Sequence, residues 1–253
     1  MAEGDTILRL ARRLGAALGE QPIVAKAPNP RGRAAGVERL DGRRLERAQA
    51  HGKHLLLYFD GGLVLHSHLG MSGGWHLYAT GERWRRSRGA AWAVLSGHGH
   101  EAVQFGGPTL RLLSTTQVRR DPELARLGPD ILAERFDATR AIAGLRAEPR
   151  RGIGEALLDQ TAVAGIGNIF KSEACFAARL DPWRAVGEAS DEELAAVLAA
   201  AREQMLAAVD AGTRRRFAIY RNRGPCPSCG GPVYARGQGD ANRTTYWCRR
   251  CQR

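Results

Sequence analysis

Across residues 5–18 the apolar positions Ile7, Leu10, Ala11, Leu14 and Leu18 recur every three or four residues, with Arg9, Arg12 and Arg13 between them. That spacing predicts an amphipathic helix with one apolar stripe. Asp5 is placed to cap it, which leaves residues 1–4 as a short extended lead before the positive end of the helix dipole. From about 21 to 116 the pattern changes to short strand-like runs, at 54–59, 63–69, 74–78, 90–95, 102–105 and 110–113, with glycines between them. Asp60-Gly61-Gly62 separates the first two runs and reads as a hairpin turn. The expectation is an antiparallel sandwich or barrel. After Arg119 the pattern becomes helical, with candidate helices at 138–145, 153–163, 168–178 and 192–209. The fold class expected is therefore α+β and multidomain: an N-terminal antiparallel β-sandwich with its leading helix, 1–118, a helical domain, 119–222, and a terminal cysteine segment, 223–253.

Composition narrows the partners. The 253 residues carry 38 Lys+Arg against 26 Asp+Glu, a formal charge of +12, with 43% hydrophobic residues. Such a chain forms a core, and disordered or collagen-like classes are excluded. No apolar run approaches the ~18 residues of a membrane helix, and Glu3, Asp5, Arg9, Arg12 and Arg13 break any signal-peptide pattern, so no membrane association and a cytoplasmic location are expected. Only Lys26, Lys53 and Lys171 are lysines; every other basic residue is arginine, whose fork suits phosphate. Beyond Thr213 the arginines face Asp240 as the sole acid, which favours a nucleic-acid partner over a merely solvated basic surface.

Cys226-Pro-Ser-Cys229 and Cys248-Arg-Arg-Cys251 form two CxxC knuckles. The spacing fits a zinc ribbon, and four thiolates leave no open position, so one structural zinc ion is expected. A disulfide pair or a redox CxxC suits a reducing compartment and the absence of a βαβ pattern poorly. The metal would hold a hairpin over 233–247 with Arg243 near its tip, whereas Cys175 reads as a buried thiol. Between two predicted helices, Gly165-Ile166-Gly167-Asn168 permits a tight turn with Asn168 at a helix N-terminus. Free amides there suit a phosphate, although an ordinary capped connection uses the same residues.

Ala2-Glu3-Gly4-Asp5-Thr6, Gly52-Lys53 ahead of a hairpin, the segment 160–173 and the terminal finger with Arg243 occur in an order that resembles the formamidopyrimidine-DNA glycosylase and endonuclease VIII family. Glu3 to Thr6 is closer to the endonuclease VIII side, and His68-Leu69-Gly70-Met71-Ser72-Gly73-Gly74-Trp75 to the formamidopyrimidine side. The resemblance implies a β-sandwich, a helix–two-turn–helix domain and a zinc finger. It implies a monomer acting on damaged double-stranded DNA in the cytoplasm, at the nucleoid, as a base-excision glycosylase with AP-lyase activity. Oxidised bases are the expected substrates, with bulky or crosslinked lesions as a further class.

On the same resemblance residue 2 supplies its α-amine as the nucleophile at sugar C1′. Glu3 is the general acid/base, and Lys53 contacts the phosphate at the lesion. Asn168, Lys171 and Arg243 join the DNA-binding set, and Met71 fills the space of an extruded base or, on the plainer reading, belongs to a core. The family usually has proline at position 2, where this chain has Ala2. A natural primary-amine route, an engineered silencing change, and a glycosylase using water or Lys53 all stay open, the first requiring removal of Met1. The alternative from another class is a damage-binding protein of the same fold without the chemistry. An RNA- or transcription-related zinc ribbon leaves Glu3 and Lys53 without a purpose.

Overall fold

The computed structural model describes residues 2–253 except Glu20, Arg215, Arg216 and Arg223; Met1, on whose removal the Ala2 route depends, lies outside the described residues. The chain opens with α1 (Gly4–Leu18), which starts one residue before the expected cap, so Asp5 sits inside its first turn. There follow β1 (Val24–Lys26), α2 (Pro30–Ala34), β2 (Leu45–His51), β3 (His54–Phe59), β4 (Leu63–His68), β5 (Gly74–Ala79), β6 (Ala91–Gly97), β7 (His100–Phe105) and β8 (Thr109–Ser114). Then come α3 (Thr115–Arg119), α4 (Pro122–Ala125), α5 (Ala138–Arg146), α6 (Ile153–Ala156), α7 (Asn168–Ala177) and α8 (Asp191–Asp210), and last β9 (Tyr234–Gln238) and β10 (Arg243–Trp247). By contact the chain divides into two units, one holding Ala2 and Thr6–Ala125, the other Glu3–Asp5 and Arg126–Arg253.

The first unit contains two four-stranded antiparallel sheets, in the orders β1-β6-β7-β5 and β2-β3-β4-β8. One core fills the space they share with α1: Ile7, Leu14 and Leu18 from the helix, Leu55, Leu57 and Leu65 from one sheet, Ala93, Leu95 and Ala102 from the other. This is the expected sandwich. β2 was not anticipated, because Glu46, Arg47 and Gln49 break its apolar pattern; its pairing with β3, which shifts register between Leu45 and Arg47, makes the strand. A second cluster, Tyr78, Trp84, Ala91, Val94, Val103 and Phe105, lies apart from that core, on the other face of the β1-β6-β7-β5 sheet.

In the second unit α7 and α8 pack together, and α8 opens with a capping box between Ser190 and Glu193. The helix expected over 153–163 stops at Ala156. Asp159 Oδ1 accepts from the Thr161 amide and hydroxyl at 2.9 and 2.7 Å, a local turn that competes with helix. The β9–β10 hairpin pairs Arg243 with Gln238 and Trp247 with Tyr234. Among the described residues no helix is long and apolar enough to cross a membrane.

Candidate functional site

The second unit buries a carboxylate at the start of a helix. Glu3 is fully buried, and its two oxygens accept from the amides of Ile169 (2.9 Å) and Phe170 (3.3 Å) in the first turn of α7. Two amides and the positive end of the helix dipole stabilise a negative charge there. The turn 165–167 is shaped for it: a Cβ on Gly167 would lie 2.3 Å from Glu3 Cδ, so only glycine leaves room. Gly165, at φ +106, accepts from the Gly4 amide at 2.9 Å, and Gln160 braces the turn by accepting from Gly165 and donating to Ile166.

This changes the expected use of that turn. Gly167, not Asn168, caps α7, and the two amides offered to a phosphate are held by the protein's own Glu3. Asn168 instead donates from Nδ2 to the Thr244 carbonyl at 2.8 Å, tying α7 to β10 beside Arg243, while its Oδ1 is buried with no hydrogen-bond partner. Asp5, also fully buried, pairs through both oxygens with Arg214, at 2.8 and 2.5 Å. Glu173 accepts from the consecutive amides of Ala218, Ile219 and Tyr220.

Lys171, expected among the DNA contacts, is fully buried rather than presented on the surface. Its Nζ donates to Thr245 Oγ1 at 2.7 Å, and that hydroxyl donates to Gln238, which donates to the Pro182 carbonyl. Burial pushes its pKa down to about 8; Cys175 and Glu3 oppose the shift and Arg243 adds to it. Asn168 and Lys171, three residues apart on α7, thus both grip β10, while Arg243 is exposed at the start of that strand.

The four finger cysteines converge. Their Sγ atoms all lie within 4.8 Å of one another, with Cys226–Cys251 at 3.7 Å and Cys229–Cys248 at 3.6 Å. Those separations are far beyond a disulfide bond of about 2.05 Å. They match the ~3.8 Å edge of a tetrahedron built on Zn–S bonds of about 2.3 Å. The residues present fit a metal ion.

In the first unit, Gly52 (φ +55) and Lys53 form the two-residue turn joining β2 to β3, with glycine first as a hairpin of this length requires. Ala2 is half-buried and packs on the sandwich core. Met71 is 66% exposed, so it is not a core residue. It stands in the turn between β4 and β5, where Gly70 takes φ +57 and a Cβ on Gly73 would meet the Leu69 carbonyl at 2.6 Å.

Sequence reasoning missed a buried histidine chain beside Lys53. Arg111 Nε donates to His66 Nδ1 at 3.0 Å, and His66 Nε2 lies 2.9 Å from His54 Nδ1. An arginine is always a donor, so it fixes His66 Nδ1 as an acceptor; Nε2 then carries the proton that reaches His54. Burial, with Arg111 next, pushes His66 down to about 4, and burial followed by its histidine neighbours pushes His54 to about 3. Arg111 also pairs with Asp121 (2.6 Å) and Glu123 (3.3 Å), and Asp121 accepts from the amides of Glu123 and Leu124 in α4. The ring of His68 lies 4.7 Å from that of His54. Histidines 51, 54, 66 and 68, at the paired ends of β2, β3 and β4, were the available signal.

Two family models meet on this chain almost without a gap, the formamidopyrimidine-DNA glycosylase N-terminal domain over residues 1–123 and the formamidopyrimidine-DNA glycosylase H2TH domain over 127–217. The class is thus that of a DNA glycosylase with a helix–two-turn–helix module. A Streptomyces coelicolor protein named probable endonuclease 8 2 is 39% identical over all of this chain and 94% of its own length. The crystal structure of the Thermus thermophilus MutM (Fpg) protein superposes with a TM-score of 0.79 at 30% identity, covering 99% of this chain and 98% of that one. The Lactococcus lactis Fpg (MutM) protein, complexed with DNA containing N7-benzyl-Fapy-dG, shares the fold at a TM-score of 0.85 and 22% identity over 99% of both chains. This chain belongs to the formamidopyrimidine-DNA glycosylase and endonuclease VIII family.

Proposed function

We propose that this protein is a base-excision DNA glycosylase and AP lyase acting on damaged double-stranded DNA as a monomer at the nucleoid, with Ala2 as its nucleophile. The observation that carries the reading is Glu3, held immobile on the α7 N-terminus one peptide bond from residue 2. Removal of Met1 frees the Ala2 α-amine. Its ordinary pKa is near ~7.7–8.0, about 2.5 units below a lysine side chain, so a useful fraction is unprotonated at neutral pH.

The Ala2 nitrogen bonds to C1′ as the glycosidic bond breaks, and the base leaves with the bonding pair. Glu3 takes a proton from the new ammonium and returns it to the ring oxygen, which opens the sugar and leaves a protonated imine at C1′. Loss of a C2′ proton then expels the 3′ phosphate. Proline at position 2 would reach an iminium with no N–H proton to lose, whereas Ala2 forms a protonated imine that must keep its N–H proton until elimination. Lys53 serves the phosphate at the lesion, Met71 occupies the space of the extruded base, and Arg243 and Asn168 belong to the DNA grip. Lys171 acts on that grip indirectly, by holding β10. The segments assigned are a catalytic sandwich 1–118, a helix–two-turn–helix domain 119–222 and a finger 223–253. Cys226, Cys229, Cys248 and Cys251 would hold one zinc ion, which when bound folds the finger and leaves the base chemistry to the other residues.

Borohydride trapping on abasic-site DNA, with mass spectrometry of the adduct, tests this reading. The expected result is a covalent adduct at Ala2 that survives Lys53→Ala. An adduct elsewhere overturns Ala2 as the nucleophile, and none despite tight binding overturns the amine mechanism; binding without release of any damaged base leaves a damage-binding protein.

A further inference from the structure

The connection from β5 to β6 carries more positive charge than a surface loop needs. β5 and β6 both run antiparallel to β7, which lies between them, so they are parallel to each other and the chain must cross β7 to join them. β5 ends where Ala79 pairs with His100, and β6 starts where Ala91 pairs with Phe105, so residues 80–90 travel the length of β7, roughly 17 Å. In most parallel units a helix makes that crossing. Here an irregular segment, Gly81-Glu-Arg-Trp-Arg-Arg-Ser-Arg88, does so.

Trp84 anchors it. Its ring is buried with Tyr78, Val103 and Phe105, and its Nε1 donates to Glu101 at 2.9 Å. The Arg85 amide donates to the Tyr78 hydroxyl at 3.2 Å. Arg83, Arg85, Arg86 and Arg88 are all exposed, and Gly81 to Arg88 line a concavity of about 410 Å³. Two of the guanidinium groups are positioned by aromatic rings, Arg88 at 4.5 Å from the Trp84 centroid and Arg86 at 5.5 Å from that of Phe105. Stacking of this kind holds the plane and leaves N–H edges for oxygen. The nearby acids are engaged elsewhere, Glu82 on the Ala79 amide and Glu101 on Trp84. None of the four arginines forms an ion pair among the described residues. Four like charges well inside a Debye length repel one another and destabilise the fold unless an anion joins them.

We infer that this arginine crossover is a second phosphate-binding surface, one that takes the backbone of DNA away from the lesion. The inference rests on the glycosylase reading for its choice of polyanion. Fixed forks on a pinned backbone suit phosphate oxygens and carry no base information, so the surface supplies affinity and sliding on intact duplex rather than lesion choice.

The test is fluorescence anisotropy on a long intact duplex across a salt series, comparing the wild type with the combined Arg83→Gln, Arg85→Gln, Arg86→Gln and Arg88→Gln variant. Each lost phosphate contact lowers the slope of log K against log salt by about 0.9, so a drop of roughly 2–4 is expected, with at least tenfold weaker binding at low salt. Single-turnover base release from a saturated lesion duplex should be unchanged. An unaltered slope and affinity would overturn the proposal. So would an unaltered slope together with loss of polyglutamate binding, which would assign the surface to an acidic protein. If the fourfold variant fails to fold, Arg83→Gln with Arg85→Gln, which removes no ring contact, should give about half the change in slope. A wild type that releases no damaged base would sink the glycosylase reading and leave the salt result to stand by itself.

Discussion

Two clusters of buried ionisable groups, one in each unit, are built in opposite ways. Near Lys53, the first unit keeps His54 and His66 neutral: burial pushes both down, and Arg111 fixes their tautomers by donating into the chain. At the α7 N-terminus the second unit surrounds its buried carboxylates with donors, Glu3 on two helix amides and Asp5 on Arg214. On the proposed role of Lys53, neutral imidazoles beside it avoid adding charge that would compete with it for a phosphate. On the proposed mechanism Glu3 accepts and returns a proton, and that requires a carboxylate with a fixed place. The contrast teaches that the same low exposure serves neutral, tautomer-fixed rings at one site and donor-surrounded carboxylates at the other.

The sharpest way to break this contrast is Glu3→Gln. The amide oxygen keeps one acceptor for the α7 amides, so the fold stays close to wild type, but the proton carrier is gone. Base release should fall by roughly 10²–10⁴-fold, the usual contribution of a general acid/base, with binding to abasic-site DNA retained. Single-turnover assays decide it. A loss confined to KM would mean that Glu3 only shapes the turn.

Much of this arrangement was legible before the structure. The sandwich, the leading helix and the cysteine pairing follow from period, turn residues and spacing, because each is a local pattern. The destination of each side chain was not. Asn168 reads as a phosphate-facing helix N-terminus or an ordinary cap, and Lys171 as a DNA contact, since a helix N-terminus and a lysine are commonly so used. What overrode both was tertiary: Glu3, far away in sequence, fills the helix end, and Thr245 on β10 draws Lys171 inward. The histidine chain was hidden for the same reason. Histidines 54 and 66 become neighbours only through the β3–β4 register, and Arg111 joins them only through β8.

The next expected effect is a stability profile with different causes at its two ends. At pH 7 His54 and His66 are neutral in the folded chain and mostly so in the unfolded one. As pH falls below 6.5 the unfolded chain takes up protons first, and the folded one follows only near 4 and 3, so stability is lost across that window, by a few kcal/mol. Lys171 acts in alkali. Its folded value of about 8 lies below the ordinary 10.5, so between the two the unfolded chain holds more protons and stability rises with pH, by on the order of 3 kcal/mol. Cys175, pushed up to about 12 by burial, opposes this above 9. Urea midpoints with zinc in excess should show His54→Gln flattening the acid limb alone and Lys171→Met removing the alkaline gain alone. If either variant altered both limbs, the two units would not be independent in their charge handling.

The smallest effect separates a side chain that holds the fold from one that is presented by it. Met71 is 66% exposed, on a turn where Gly70 and Gly73 have no room for a side chain. Met71→Ala should therefore change stability by no more than about 0.5 kcal/mol, the range for surface positions. If its thioether fills the gap left by an extruded base, the variant loses contact only when DNA is bound and the base is out, so affinity for lesion duplex should weaken up to tenfold, about 1.4 kcal/mol. Affinity for intact duplex should hold, because no gap exists there to fill. Equal weakening on both duplexes would make Met71 an ordinary surface contact, and a clear fall in Tm would return it to the core that the turn geometry denies it.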